Sequence, residues 1–218
     1  MTESIARLYL VTPLIEDGSR FAPALSQACA AGEIAAVLLR LAPGDERASV
    51  NRVKALAPAA QEHGAAVLVT AAGEVDLAAV ATRGGADGVH LAVPDPNAAS
   101  ALRERLKDRS IGAGGLRSKD DAMTIGEAGI DYLMFGEPRA DGSMPAIETV
   151  LERAAWWAEI FETPCVAFAP SLAHLPRLAA TGAEFVALGD AVWTHAEGPA
   201  AAVRAALAAL PAPAEEAR

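Results

Sequence analysis

Two charged side chains lie where apolar runs of the sequence end, and both could contact a phosphorylated ligand. Arg40 follows the run 37–39, and a guanidinium can hold two phosphate oxygens through parallel hydrogen bonds. The alternative for this residue is an ion pair with a nearby loop carboxylate such as Asp45 or Glu46. Asp95 lies between two prolines, in a turn where its carboxylate could ligate Mg²⁺ or cap the next helix.

One histidine lies inside an apolar run that is typical of a strand. His90 is flanked by Val89 and Leu91, and side chains alternate along a strand, so it faces the opposite side from both neighbours. An imidazole there could transfer protons near neutral pH, or it could be a hydrogen-bonded core residue. Both interpretations stay open, and we keep His90 with Arg40 as the candidate catalytic residues.

Glycines follow two further apolar runs. The stretch 112–115, Gly-Ala-Gly-Gly, is the chain's only glycine-rich turn after a predicted strand. The backbone N–H groups of Gly114 and Gly115 could cradle a phosphate there, or the turn could be a tight connection to the next helix. Gly189 ends the last apolar run, where many α/β barrels bind phosphate, although the carboxylate of Asp190 would repel that anion.

The elements that must position these residues repeat along the chain. Four segments begin with glycine, continue with an acidic residue and then become apolar, starting at positions 32, 85, 129 and 182. A spacing of roughly 50 residues is twice that of a short strand–helix unit, and strands buried on both faces appear as continuous apolar runs. Candidate strands alternate with Ala- and Leu-rich helical patterns; they are 7–12, 35–41, 65–71, 88–92, 110–114, 132–136, 165–169 and 185–189.

This alternation predicts an α/β fold, a single (β/α)8 TIM barrel spanning residues 1–210 with a frayed tail at 211–218. Ligand sites of such barrels lie on the loops after the strands, so the candidates above should surround one mouth. A doubly wound open sheet is the alternative, and the absence of a GxGxxG motif disfavours it.

Composition restricts the class of partner. The chain has 218 residues, 52% of them hydrophobic, and a formal net charge of −10, which disfavours a nucleic-acid partner. We see neither a membrane-spanning apolar run nor a signal-peptide pattern at the first residues. We therefore predict a cytoplasmic protein whose partner is a small phosphorylated molecule, with no membrane partner, and we leave a homodimer open.

Several motifs, taken in order, resemble those of the thiamine-phosphate synthase and TenI superfamily. They are Leu-Tyr-Leu-Val-Thr at 8–12, Gly-Ala-Asp-Gly-Val-His-Leu at 85–91 with Asp95 after it, Ile-Gly at 111–112 before a helix start at 118–122, and Asp-Tyr-Leu-Met-Phe-Gly at 131–136. The similarity covers almost the whole chain and implies a (β/α)8 barrel. It implies a transferase of thiamine biosynthesis that joins a pyrimidine diphosphate to a thiazole phosphate with Mg²⁺; TenI-like members isomerise a thiazole tautomer without the metal.

The resemblance also implies which residues contact the substrate. Arg40 matches a diphosphate contact, and Asp95 matches a Mg²⁺ ligand. Gly136, Arg139 and Ser143 lie in the stretch that matches the phosphate loop after strand six of the family.

Other family positions differ here. The family's Gln-x-Arg-x-Lys set is Leu-Leu-Arg-Leu-Ala at 38–42, its Asn-Asp pair after strand three is replaced in Thr-Ala-Ala at 70–72, and its Thr-x-Thr-Lys loop is replaced at 137–145. These losses predict weak or absent thiamine-phosphate synthesis. They leave open a catalytically degenerate ligand-binding or regulatory relative, or a TenI-like thiazole tautomerase that uses His90, Glu137 or Asp95 as its acid–base group.

Overall fold

Eight parallel strands close into a barrel in a computed structural model that describes residues 6–139 and 142–211. Each strand pairs with the next along the chain, and the last pairs with the first. The predicted (β/α)8 barrel is therefore confirmed. The strands are β1 Arg7–Ile15, β2 Ala36–Leu41, β3 Ala66–Ala71, β4 Gly88–Leu91, β5 Ser110–Ala113, β6 Tyr132–Phe135, β7 Cys165–Ala169 and β8 Phe185–Leu188.

The first strand is longer than the sequence predicts. It extends to Ile15 rather than ending at Thr12, because β1 shifts register after Val11 and then pairs Leu14 with Arg40 of β2. Backbone pairing to the neighbouring strand therefore continues through a segment whose side chains do not signal it.

Helices follow the strands and cover the outside of the barrel. An aspartate or serine accepts a hydrogen bond from the first turn of each of the first five, which satisfies backbone N–H groups that have no partner within the helix. The helices are α1 Gly18–Cys29, α2 Glu46–Gln61, α3 Leu77–Gly84, α4 Pro96–Arg105, α5 Lys119–Gly126, α6 Ile147–Ile160, α7 Leu175–Ala179 after a 3-10 turn at Leu172–His174, α8 Asp190–Trp193 and α9 Pro199–Ala209.

Two hydrophobic clusters fill the two sides of the strands. The larger one lies between the barrel and its helices, and the smaller one fills the barrel interior with Tyr9, Val11, Ala36, Leu38, Leu68, Tyr132, Met134, Val166, Phe168 and Ala187. Side chains alternate along a strand, so a residue two positions after an inward-facing one also faces inward. Residues 40, 70 and 114 follow 38, 68 and 112 in this way, and they therefore face inward at the carboxyl-end mouth of the barrel.

Within the described ranges, no helix has both the length and the apolarity needed to cross a membrane. The predicted tail at 211–218 lies, apart from Pro211, outside the described residues.

Candidate functional site

A chain of hydrogen-bonded side chains runs through the barrel interior to its carboxyl-end mouth. The hydroxyl oxygens of Tyr9 and Tyr132 lie 2.9 Å apart, and the Tyr132 hydroxyl lies 2.9 Å from Nδ1 of His90. The other ring nitrogen of His90, Nε2, lies 3.1 Å from Oε1 of Glu137. The chain ends at the mouth, where Oε2 of Glu137 accepts a hydrogen bond of 3.0 Å from the backbone N–H of Gly115.

With Glu137 ionised and His90 neutral, one set of directions satisfies every hydrogen bond of this chain. Burial, the largest cause, raises the pKa of both tyrosines well above the ordinary value, so both hydroxyls keep their protons. A Glu137 carboxylate only accepts, so Nε2 of a neutral His90 carries the ring proton and Nδ1 accepts from Tyr132. Tyr132 in turn accepts from Tyr9. In this arrangement each buried donor has an acceptor, which holds the Glu137 carboxylate in a fixed position at the mouth.

Two glycines on β5 make room for this chain. A Cβ on Gly112 would lie 2.0 Å from Cζ of Tyr132, so the tyrosine ring covers the bare backbone of the neighbouring strand. A Cβ on Gly114 would lie 1.4 Å from Oε2 of Glu137 and 2.8 Å from Nε2 of His90. Glycines at alternate inward positions therefore form the groove in which the polar chain lies.

His90 combines features of both interpretations left open by the sequence. Its side chain is fully buried, as a core residue would be, and both ring nitrogens are hydrogen-bonded. Its partner Glu137 keeps 15% of its side chain exposed at the mouth. Glu137 thus separates the His90 imidazole from solvent at the mouth. The catalytic role of His90 stays a prediction.

Arg40 carries an unengaged guanidinium at the carboxyl end of β2. The residue is half-buried and its backbone N–H donates to Oγ1 of Thr12 at 3.0 Å. In the part of the chain that the structure describes, its side chain has neither a hydrogen bond nor an ion pair. The alternative ion pairs are not formed: Asp45 caps α2, and Glu46 pairs with Arg83. The guanidinium can therefore hold an anion without first breaking an internal contact.

Asp95 is exposed and caps α4. Its Oδ1 accepts hydrogen bonds from the backbone N–H groups of Asn97 and Ala98, at 2.9 and 3.2 Å. The described residues contain no group of three or more His, Cys, Asp or Glu side chains that could hold a metal ion. The residues around Asp95 thus do not fit a Mg²⁺ site built by the protein alone, and Asp95 as a metal ligand stays a prediction.

The glycines predicted to contact phosphate have structural roles in the backbone. The Gly114 N–H donates to the carbonyl of Leu91 at 2.8 Å, and the Gly115 N–H donates to Glu137. Gly136 has a φ of 96°, which favours glycine. Gly189 precedes the four-residue helix α8. Phosphate binding at these positions stays a prediction, and at Gly115 it requires Glu137 to move.

Arg139 and Ser143 lie together on the loop after β6. The Arg139 guanidinium donates to Oγ of Ser143 at 3.2 Å, and the Arg139 backbone N–H donates to the Ser143 carbonyl at 2.9 Å. Both residues are exposed. This pairing closes the loop on itself, so the Arg139 side chain would have to leave Ser143 to reach a ligand over the barrel.

Two members of the polar chain, the tyrosines, escape the sequence-based site prediction. Tyr9 and Tyr132 look like core residues of apolar strands, and Glu137 is considered only as one of several acid–base groups. A signal was available, because these are the chain's two tyrosines and each lies on the inward phase of its strand. The parallel strands place the mouth end of this chain at the same face as Arg40.

The model of the thiamine monophosphate synthase family matches residues 8–192. The chain belongs to this family. A thiamine-phosphate synthase of Rhodospirillum centenum (strain ATCC 51521 / SW) is 37% identical over 199 residues, covering 90% of this chain and 94% of the relative. Another, of Hyphomonas neptunium (strain ATCC 15444), is 37% identical over 209 residues and covers 91% of each chain.

Solved structures agree on the family's barrel. A thiamine phosphate pyrophosphorylase from Pyrococcus furiosus matches with a TM-score of 0.74 and 22% identity, covering 95% of this chain and 96% of that one. A 3-hexulose-6-phosphate synthase matches with a TM-score of 0.70 and 16% identity, covering 94% of this chain and 100% of that one. At these identities the likeness shows the fold alone. The family match and the curated relatives together support a thiamine-phosphate-synthase-like protein of thiamine biosynthesis.

Proposed function

We propose that this protein binds a phosphorylated thiazole or pyrimidine of thiamine biosynthesis at the carboxyl-end mouth of its barrel. The observation that carries the proposal is Arg40, a half-buried residue whose guanidinium has no partner among the described residues. Thr70, its register neighbour on β3, is buried on the same inward phase and adds a hydroxyl beside it. A cation and hydroxyl groups at a partly desolvated strand end suit a phosphate group.

Condensation of the two substrates is proposed to be slow or absent. Departure of pyrophosphate needs fixed positive charge around the leaving oxygens. At the mouth, Ala42 replaces a family lysine, Asp95 caps a helix, and the loop after β6 places the carboxylate of Glu137 in the site. Loss of one such stabilising group costs about 10²–10³ in rate, and losses of several groups do not simply add.

A thiazole tautomerase is the second candidate, and the contact between Glu137 and His90 favours it. Tautomerisation moves a proton from one ring position to another and changes nothing else. Glu137 would take that proton at the mouth and return it, while His90 orients the carboxylate from below. Such a step requires no leaving-group charge, so the missing lysines would not impair it.

A ligand screen by thermal unfolding tests the binding proposal. The thiazole phosphate, the pyrimidine diphosphate and thiamine phosphate are each added with and without Mg²⁺. A ligand at 100 times its Kd stabilises the folded state by about 2.7 kcal/mol, so even a catalytically inactive protein responds. We expect at least one of the three to raise the Tm of the wild type, and no response to any of them would contradict the proposal.

An activity comparison separates the two candidate reactions. Thiamine phosphate formation is measured with both substrates and Mg²⁺, with the Rhodospirillum centenum relative as the reference. We expect turnover at least about 100-fold below the reference, and turnover equal to it would contradict the slow condensation. Conversion of the thiazole tautomer, followed by NMR without Mg²⁺ and abolished in Glu137→Gln, would support the second candidate.

A further inference from the structure

The turn after β5 is built to receive a negatively charged group. Gly115 points its backbone N–H toward the mouth, and the missing side chain of Gly114 leaves space directly beside it. His90 adds a third feature, because its Nε2–H points into the same space. Two N–H donors converging on an open glycine position form a small anion-binding concavity.

The protein's own carboxylate already occupies this concavity. Each Glu137 oxygen accepts one hydrogen bond, Oε1 from His90 and Oε2 from Gly115, at 3.1 and 3.0 Å. A carboxylate oxygen can accept a second hydrogen bond, and the side chain is 15% exposed at the mouth. Glu137 therefore offers acceptor sites to a ligand and also repels any phosphate that approaches the turn.

The mouth therefore has a positive charge on one side and a negative charge on the other. Arg40 lies at the end of β2 and Glu137 directly after β6, and in a closed ring of eight strands these two lie on opposite sides. A ligand bound between them meets a cation on one side and an anion on the other.

We propose that Glu137 makes the turn after β5 bind a hydrogen-bond-donating group of the ligand, such as an amino or ring N–H group. The same carboxylate excludes the phosphate of the ligand from this turn, so the phosphate binds on the opposite side of the mouth, at Arg40. The ligand class is then a heteroaromatic ring with a donor at one end and an anionic substituent at the other. This deepens the proposed function, on which it rests for the position of the ligand at the mouth.

Two simple probes test the selection without any turnover. Inorganic pyrophosphate and 4-aminopyrimidine are titrated separately into the wild type, Glu137→Gln and Glu137→Ala, at low ionic strength, and binding is followed by NMR. Removing the carboxylate should raise the affinity for pyrophosphate at least about tenfold, because a like charge leaves the turn. The affinity for 4-aminopyrimidine should fall at least about tenfold in the same variants, because its charged acceptor is lost.

Glu74→Gln is the matched control. Glu74 is exposed on the loop after β3, at the same face of the barrel, and the described structure gives it no side-chain contact. It should change both affinities less than about twofold. The proposal is overturned if pyrophosphate affinity does not rise in the Glu137 variants, if it rises equally in Glu74→Gln, or if 4-aminopyrimidine binds all variants equally. A rise specific to residue 137 would support it even if no thiamine precursor bound, so the two proposals fail separately.

Discussion

The carboxylate of Glu137 occupies the space that a side chain at Gly114 would need. A Cβ at position 114 would lie 1.4 Å from Oε2 of Glu137, so the two residues are a matched pair from neighbouring strand ends. A glycine that the sequence indicates as a turn residue is required by a side chain 23 positions later in the chain.

Gly114→Ala should force Glu137 away from Gly115 and destabilise the protein by about 1–3 kcal/mol, through overpacking and a lost hydrogen bond. Urea unfolding measures the change in the free energy of unfolding. In a Glu137→Ala background the same substitution should cost less than half as much, because the clashing carboxylate is absent. Equal costs in the two backgrounds would show that the pair is not coupled.

Tyr132→Phe should be more destabilising than Tyr9→Phe. Tyr132 is the middle of the chain, so its loss leaves both the Tyr9 hydroxyl and Nδ1 of His90 without partners, at about 2–4 kcal/mol. Tyr9→Phe removes one donor while Tyr132 still donates to His90, at about 1 kcal/mol. Chemical denaturation of both variants gives the comparison, and equal losses would contradict the assigned direction of the hydrogen bonds.

Arg40→Gln should weaken binding of a phosphorylated thiamine precursor about 10–100-fold, because a charge-assisted hydrogen bond to phosphate contributes about 1.5–3 kcal/mol. Arg47→Gln provides the control, because Arg47 is exposed on α2 and has no side-chain partner in the described structure. Titration calorimetry with the ligand that raises the Tm measures both variants. A loss of affinity as large in Arg47→Gln would indicate a general charge effect rather than a contact at residue 40.

Asp121→Asn should destabilise α5 at neutral pH and much less in acid. The backbone N–H of Arg117 is the main cause that lowers the pKa of Asp121 below 3.8, with the Ser118 backbone N–H adding to it. Since the folded-state pKa is lowered, this stabilisation is present above pH 3.8 and is lost as pH falls through the folded value. We expect a cost of about 0.5–1 kcal/mol at pH 7.

Urea unfolding at several pH values tests this prediction. Asp120→Asn is the control, because Asp120 lies in the same first turn without a hydrogen bond to the backbone in the described structure. It should cost less than Asp121→Asn at pH 7. A cost for Asp121→Asn that stays constant from pH 7 to pH 3 would contradict the role of the charged carboxylate.

The sequence by itself determined the barrel and the approximate limits of its strands, except for the carboxyl end of β1. Continuous apolar runs, the glycines before them and the helical patterns between them are local signals, and a repeated local unit leaves few ways to bury every strand on both faces. The same local alternation predicted that His90 faces the side opposite to Val89 and Leu91, and the end of the apolar run predicted that Arg40 lies at the mouth.

Only the tertiary structure decided how those residues are used. Tyr9 and Tyr132 are 123 positions apart and meet only because the sheet closes and its register brings them to one level. From the sequence, the Gly115 N–H could equally have donated to a ligand. It donates to Glu137 because the chain after β6 brings that carboxylate next to it. Side-chain contacts across a closed barrel depend on strand stagger and on space left by glycines on other strands, and a local sequence pattern contains neither quantity.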